Sequence, residues 1–89
     1  MNVLDIIRDK SLEPHVGNLL RIRFIDRGTI TSDGYYMDAV LLSVDIRRRT
    51  INIAFYNDET RTTVELANCS TIYAYTLSHE ITRLIWWRK

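Results

Sequence analysis

Residues 35–56, Tyr35-Tyr36-Met37-Asp38-Ala39-Val40-Leu41-Leu42-Ser43-Val44-Asp45-Ile46-Arg47-Arg48-Arg49-Thr50-Ile51-Asn52-Ile53-Ala54-Phe55-Tyr56, hold two apolar-rich runs joined by three arginines. Side chains alternate along a strand and one face must be buried, so the stretch reads as a β-hairpin. Val40, Leu42, Val44 and Ile46 share one face of its first strand, and Ile51, Ile53 and Phe55 share one face of its second. Pairing Ile46 with Ile51 sets Val44 against Ile53 and Leu42 against Phe55, and leaves Asp45, Asn52, Ser43 and Ala54 outside. A two-residue loop would need positive φ at Arg48 and Arg49, so the spacing predicts a four-residue type I turn over residues 47–50. A hairpin alone is marginal in water, and the flanking chain must cover it.

N-terminal to the hairpin, residues 2–12 read as a short helix. Asn2 is the N-cap, Asp5 lies in the first turn, and Leu4 or Val3 with Ile7 makes an apolar stripe for docking. Pro14 and Gly17 end the helix, and a strand follows with Leu20, Ile22 and Phe24 inward and Leu19, Arg21 and Arg23 outward. Residues 26–34 are polar, carry two glycines and read as a loop.

Beyond the hairpin, residues 57–61 read as a second turn that pairs Phe55 with Val64 and Ile53 with Leu66, extending a meander. Residues 70–75 are a fifth β-prone run, with Ile72 and Ala74 opposed to Tyr73 and Tyr75. The tail, residues 78–89, has a helical apolar stripe at Ile81, Leu84 and Ile85, but its β-branched and aromatic content favours a strand. The fold class expected is therefore mainly β: a small five-stranded barrel over residues 1–89, with a short N-terminal helix and an extra C-terminal strand or helix.

Residues 34–44, Ile51-Asn52-Ile53-Ala54-Phe55 and Thr63-Val64-Glu65-Leu66-Ala67-Asn68 together resemble the Tudor branch of SH3-like barrels, with its Tyr-x-x-Ala-x-Val, Val-x-Phe-x-Asp and Val-x-Leu strands. The resemblance covers about half the chain. Its aromatic cage is not matched, because no aromatic follows Asp58, although Tyr36 and Tyr56 remain available for an aromatic surface. Leu42-Ser43-Val44-Asp45 and the preceding helix are also similar to Sm-like barrels. Arginines stand where the RNA-pocket asparagine of that family would fall, so ring-type RNA binding is not carried over.

The chain has 89 residues, 46% of them hydrophobic, and a formal net charge of +1. That balance excludes a surface that is basic throughout and acts as an electrostatic trap for nucleic acid. The basic residues are ten arginines with Lys10 and Lys89, a choice that suits forked contacts with carboxylates, phosphates and aromatic faces. There is no long apolar run and no export signal pattern, so the reading is a cytoplasmic protein with no membrane partner. The lone Cys69 excludes an internal disulfide.

Neither catalytic nor metal motifs stand out. His15, His79 and Cys69 lack ligand spacing, and Asp26, Asp33 and Asp38 lack the spacing of a Ca²⁺ loop. The chain is read as a non-enzyme without cofactor. Arg47, Arg48 and Arg49 form the one charge run, fit either for phosphate or carboxylate contacts or for a solvated turn. Arg83, Trp86, Trp87 and Arg88 interleave cations and aromatics, a composition shared by protein interfaces and single-strand nucleic-acid binders. Leu41 and Tyr56 make an outward apolar pair in the predicted register. These nine residues are the candidate macromolecule-binding set. The leading expectation is a protein-binding module, a regulator or inhibitor of a larger protein such as viruses and mobile elements carry. The alternative is RNA or single-stranded DNA bound through the arginine turn and the tail. A homodimer is compatible with a free edge strand and an apolar tail.

Overall fold

The computed structural model describes residues 2–25 and 34–88. In chain order these form α1 (Val3–Lys10), a 3-10 turn (Glu13–His15), β1 (Leu19–Phe24), β2 (Tyr35–Asp45), β3 (Thr50–Phe55), β4 (Arg61–Glu65), a second 3-10 turn (Leu66–Asn68), β5 (Cys69–Tyr75) and β6 (Thr82–Trp87). The six strands make one open antiparallel sheet in the order β4-β3-β2-β1-β5-β6. The first four follow as a meander. The second 3-10 turn then carries the chain across to the far side of β1, so β5 pairs with β1 and the tail adds β6 as an outer strand. The tail is a strand, as its β-branched and aromatic composition implied.

Alternation alone places several elements correctly. Leu20, Ile22 and Phe24 are buried, with Arg21 outward; Ile72 and Ala74 are buried, with Tyr73 and Tyr75 on the opposite face. Leu12, Ile51, Ile53, Leu66 and Trp86 complete the core.

The hairpin forms, but not in the expected register. Val44 pairs with Ile51 and Asp45 with Thr50, while Leu41 pairs with Ile53 and Ala39 with Phe55, because the ladder shifts between Leu41 and Ser43. The irregularity at Leu42 inserts one residue and exchanges the two faces of β2. Before it, Ala39 and Leu41 point inward; after it, Val44 packs against the core. Leu41 is therefore a fully buried core residue, and its reading as half of an outward apolar pair is corrected. The outward partner of Tyr56 is Leu42, which lines the same hollow.

Both hairpin turns come earlier than predicted. The first spans residues 46–49 and ends with Arg49 at φ 54; the second spans residues 56–59 and ends with Glu59 at φ 59. As a result Ile51 pairs with Val64 and Ile53 with Thr62, rather than Ile53 with Leu66. Four-residue loops of this shape close on a left-handed residue, which strains any side chain bearing a β-carbon. Glu59 is exposed, so Glu59→Gly is expected to stabilise the fold by about 0.5–1 kcal/mol, the relief of strain exceeding the added entropy of the unfolded chain. Chemical denaturation reads this directly; an unchanged or lowered midpoint would contradict it.

Candidate functional site

The site begins with α1. Asn2 caps it by accepting the Leu4 N–H at 2.9 Å, as expected from the sequence. The face turned to the fold is not the apolar one. Asp5, Arg8, Asp9 and Leu12, at spacings of three and four residues, lie inward, and Asp9 is fully buried. Val3, Leu4 and Ile7 face solvent, each more than half exposed. The stripe expected to dock the helix is thus its free surface, and polar contacts do the docking.

Those contacts converge on Asp9. Its carboxylate accepts hydrogen bonds from Arg49 Nε at 2.7 Å, Arg49 Nη2 at 3.3 Å and Trp86 Nε1 at 3.0 Å. Hydrogen bonding to Asp9 holds the Arg49 pKa above its ordinary value despite the opposing cost of burial. A buried carboxylate is tolerated only when paired in this way. The left-handed backbone at Arg49 turns the end of the β2–β3 loop toward α1. Arg8 stacks over the Trp86 ring at 5.7 Å and pairs with Asp5, and Ser11 Oγ donates to the Ile85 carbonyl at 2.8 Å. One helix so ties the tip of the β2–β3 hairpin to the outer strand β6.

Beside this tie lies an open apolar groove of about 430 Å³, walled by Leu4, Ile7 and Ser11 of the α1 segment, Ile85 and Trp87 of β6, and Arg8 at its floor. The ladder shifts where Ile72 pairs with Trp86 but Tyr73 with Leu84, which leaves Ile85 as the extra residue. This is why three neighbouring tail residues serve different ends: Ile85 lines the groove, Trp86 enters the core at 1% exposure, and Trp87 stays outward at 52%. Across Arg8, a second depression of about 360 Å³ brings together Arg49, Trp86 and Arg88.

Of the candidate residues, then, Arg49, Trp86, Trp87 and Arg88 gather around α1. Arg47 and Arg48 remain exposed at the hairpin tip. Tyr56 sits apart, in a hollow with Leu42, Glu59 and Arg61, and Arg83 lies in another with His15. Leu4 and Ile7 were missed as surface residues, and Ile85 lines the groove from within the core; an apolar helical stripe reads as core unless something shows that the other face is anchored.

The outer sheet face carries a second polar arrangement. Asp38 accepts from the Tyr75 hydroxyl at 2.8 Å and Arg21 Nε at 3.2 Å, Arg21 lies over the Tyr75 ring at 5.6 Å, and Arg23 over Tyr36 at 5.7 Å. Burial, helped by the bond to Asp38, raises the Tyr75 pKa. Asp38 is thus engaged in side-chain pairing; Asp26 and Asp33, grouped with it in sequence, lie outside the described residues. Among the described residues no cluster of His, Cys, Asp and Glu has the arrangement of a metal site.

Cys69 is buried, and burial pushes its thiol up to about 12. The thiolate is the reactive form. Cys69 is therefore expected to resist a maleimide or disulfide reagent in the native protein at neutral pH and to react fully in denaturant. Rapid labelling of the native protein would contradict that placement.

Among the described residues no helix is long and apolar enough to cross a membrane. No family model, curated protein or solved structure matches the chain.

Proposed function

We propose that the protein is a non-enzymatic binding module that takes an apolar helical segment of a partner protein into the groove between α1 and β6. The observation that carries this reading is the orientation of α1. A helix of eight residues needs tertiary docking, and it ordinarily spends its apolar stripe on that docking. Here Asp9 anchors the helix instead, and Val3, Leu4 and Ile7 stand free beside Trp87. An exposed apolar patch with an aromatic wall has the composition of an interface centre. Apolar side chains spaced three and four apart on a partner helix fit such a groove.

A role as regulator or inhibitor of a larger protein accords with a small chain whose polar groups are used in holding a surface together. The fold is read as an SH3-like small barrel of Tudor or Sm type, supported by the irregularity in β2 and the return of β5 to β1. Methyl-mark recognition is not part of the proposal, since Tyr36 stacks under Arg23 while Tyr56 lines a different hollow.

The test uses a partner recovered by affinity capture and then purified. Ile7→Asp and Leu4→Asp are changes at exposed positions of α1, where substitutions are well tolerated. Each removes an anchor worth about 1.5–3 kcal/mol when buried, so each is expected to weaken binding at least about tenfold by calorimetry. Unchanged affinity in both variants would sink the groove assignment. Recovery of RNA or single-stranded DNA, released by moderate salt and lost on replacing Arg47, Arg48 and Arg88, would favour the nucleic-acid alternative.

A further inference from the structure

His15, the last residue of the 3-10 turn Glu13–His15, lines a hollow of about 320 Å³ where β5 ends and β6 begins. Its polar lining is His15, Asn18, Thr76 and Arg83, with Tyr75 and Leu77 as apolar walls. Arg83 stands directly opposite Ala74 in the β5–β6 ladder. Ala74 is in the core, so Arg83 leaves β6 on the same side of the sheet, but exposed at its end, where His15 of the 3-10 turn lines the same hollow. None of the residues that line the hollow carries a carboxylate, although elsewhere in this protein Arg8, Arg21, Arg48 and Arg49 all pair with aspartates.

We propose that this hollow binds a phosphate group, held between the Arg83 guanidinium and the His15 imidazole, with the Asn18 amide as a further donor and the Thr76 hydroxyl able to donate while accepting from Ser78 at 3.0 Å. Burial and the nearby Arg83 both lower the pKa of His15, so near neutrality an uncharged imidazole with one N–H donor lies beside a permanently charged guanidinium. A phosphate near neutrality carries between one and two negative charges and several acceptor oxygens, which answers both groups at once. A guanidinium offers a planar fork to two of those oxygens, and an imidazole N–H donates to a third. A monovalent planar carboxylate satisfies only part of this set. The proposal does not rest on the α1–β6 groove, which lies on other residues.

The experiment is a titration of the full-length protein with inorganic phosphate at constant ionic strength, followed by NMR at the His15 ring, the Arg83 Nε–H and the Asn18 and Thr76 amides. Saturable shifts confined to these groups are expected, with Arg83→Gln weakening the midpoint by roughly tenfold and His15→Gln by less, consistent with loss of a charge-assisted hydrogen bond. Arg47→Gln and Arg48→Gln should leave the midpoint unchanged. Phosphoserine in place of inorganic phosphate separates a phosphate monoester from free phosphate as the ligand; saturation by either at this hollow supports the site. Shifts that do not saturate, that appear equally at Arg47 and Arg48, or that acetate reproduces with the same midpoint would overturn the assignment. Native-like spectra of both Gln variants keep a folding defect from being read as loss of the site.

Discussion

Asp9→Ala is expected to cost about 3–5 kcal/mol of stability, the range for breaking a buried ion pair, here together with the acceptor of the buried Trp86 N–H, although Arg49 is one-third exposed and keeps Asp5 at 4.0 Å. For a domain of this size that corresponds to a fall in melting temperature of roughly 12–40 °C. The reason lies in what Asp9 holds. It accepts from Arg49 at the tip of the β2–β3 hairpin and from Trp86 in β6, segments separated from it by 40 and 77 residues. Without the carboxylate, the buried indole N–H loses its acceptor and the guanidinium keeps only the more distant Asp5. Replacing Asp9 and Arg49 together by apolar residues of similar size should recover part of the loss, because the penalty belongs to the broken pair and not to the absence of charge. A double-mutant cycle measured by urea denaturation reads the coupling. A loss below about 1 kcal/mol for Asp9→Ala would mean that α1 is held by something other than this pair. The same variant should also weaken partner binding, although Asp9 does not line the groove, since a loosened α1 no longer presents Leu4 and Ile7 against Trp87.

Gly34→Ala is the second large effect. Gly34 has φ +69, and a β-carbon there would fall within 2.0 Å of the Phe24 carbonyl oxygen, a backbone atom of the paired strand β1. The left-handed conformation alone costs a non-glycine residue about 1–2 kcal/mol. Displacing β1 from β2 to relieve the contact adds a comparable amount, for a total on the order of 2–4 kcal/mol. Gly17 supplies the control. Its φ is +89, but nothing lies within 4 Å of the position a β-carbon would take. Gly17→Ala is therefore expected to cost only the conformational part, roughly 1–2 kcal/mol. Equal losses at the two glycines, measured by thermal or urea unfolding, would show that the close approach at Phe24 carries no energetic weight.

How far the sequence discloses this molecule depends on whether local rules decide. Asn2 caps α1 because its side chain reaches an orphan N–H two residues away, a purely local arrangement. Leu20, Ile22 and Phe24 alternate with arginines, so only one face of β1 can be buried. The adjacent tryptophans must part, because neighbours on a strand face opposite ways, and they do. Ala39-Val40-Leu41-Leu42 gives no such guidance. It is apolar at both parities, and either register buries a good face. The irregularity at Leu42 makes the choice and sends Leu41 inward. Both turn positions shift for the same reason, since the ladder fixes the loops and Arg49 and Glu59 accept left-handed backbone to close them. Asp9 was invisible for a different reason. In sequence it is one more acid in a charged helix; its partners come together only in the assembled sheet. The groove depends on that anchor, so Leu4 and Ile7 read as core until the opposite face is known to be tied down.

The most direct measurement is site-specific photo-cross-linking from residue 7 in α1, with residue 56 in the distant hollow as the reference position. With a photoreactive phenylalanine analogue in place of Ile7, the protein in its native cells is expected to yield one discrete protein adduct, and the Tyr56 replacement little or none. That adduct should vanish when Leu4→Asp is added. Equal adducts from both positions, or an adduct from residue 56 alone, would contradict a docking surface between α1 and β6.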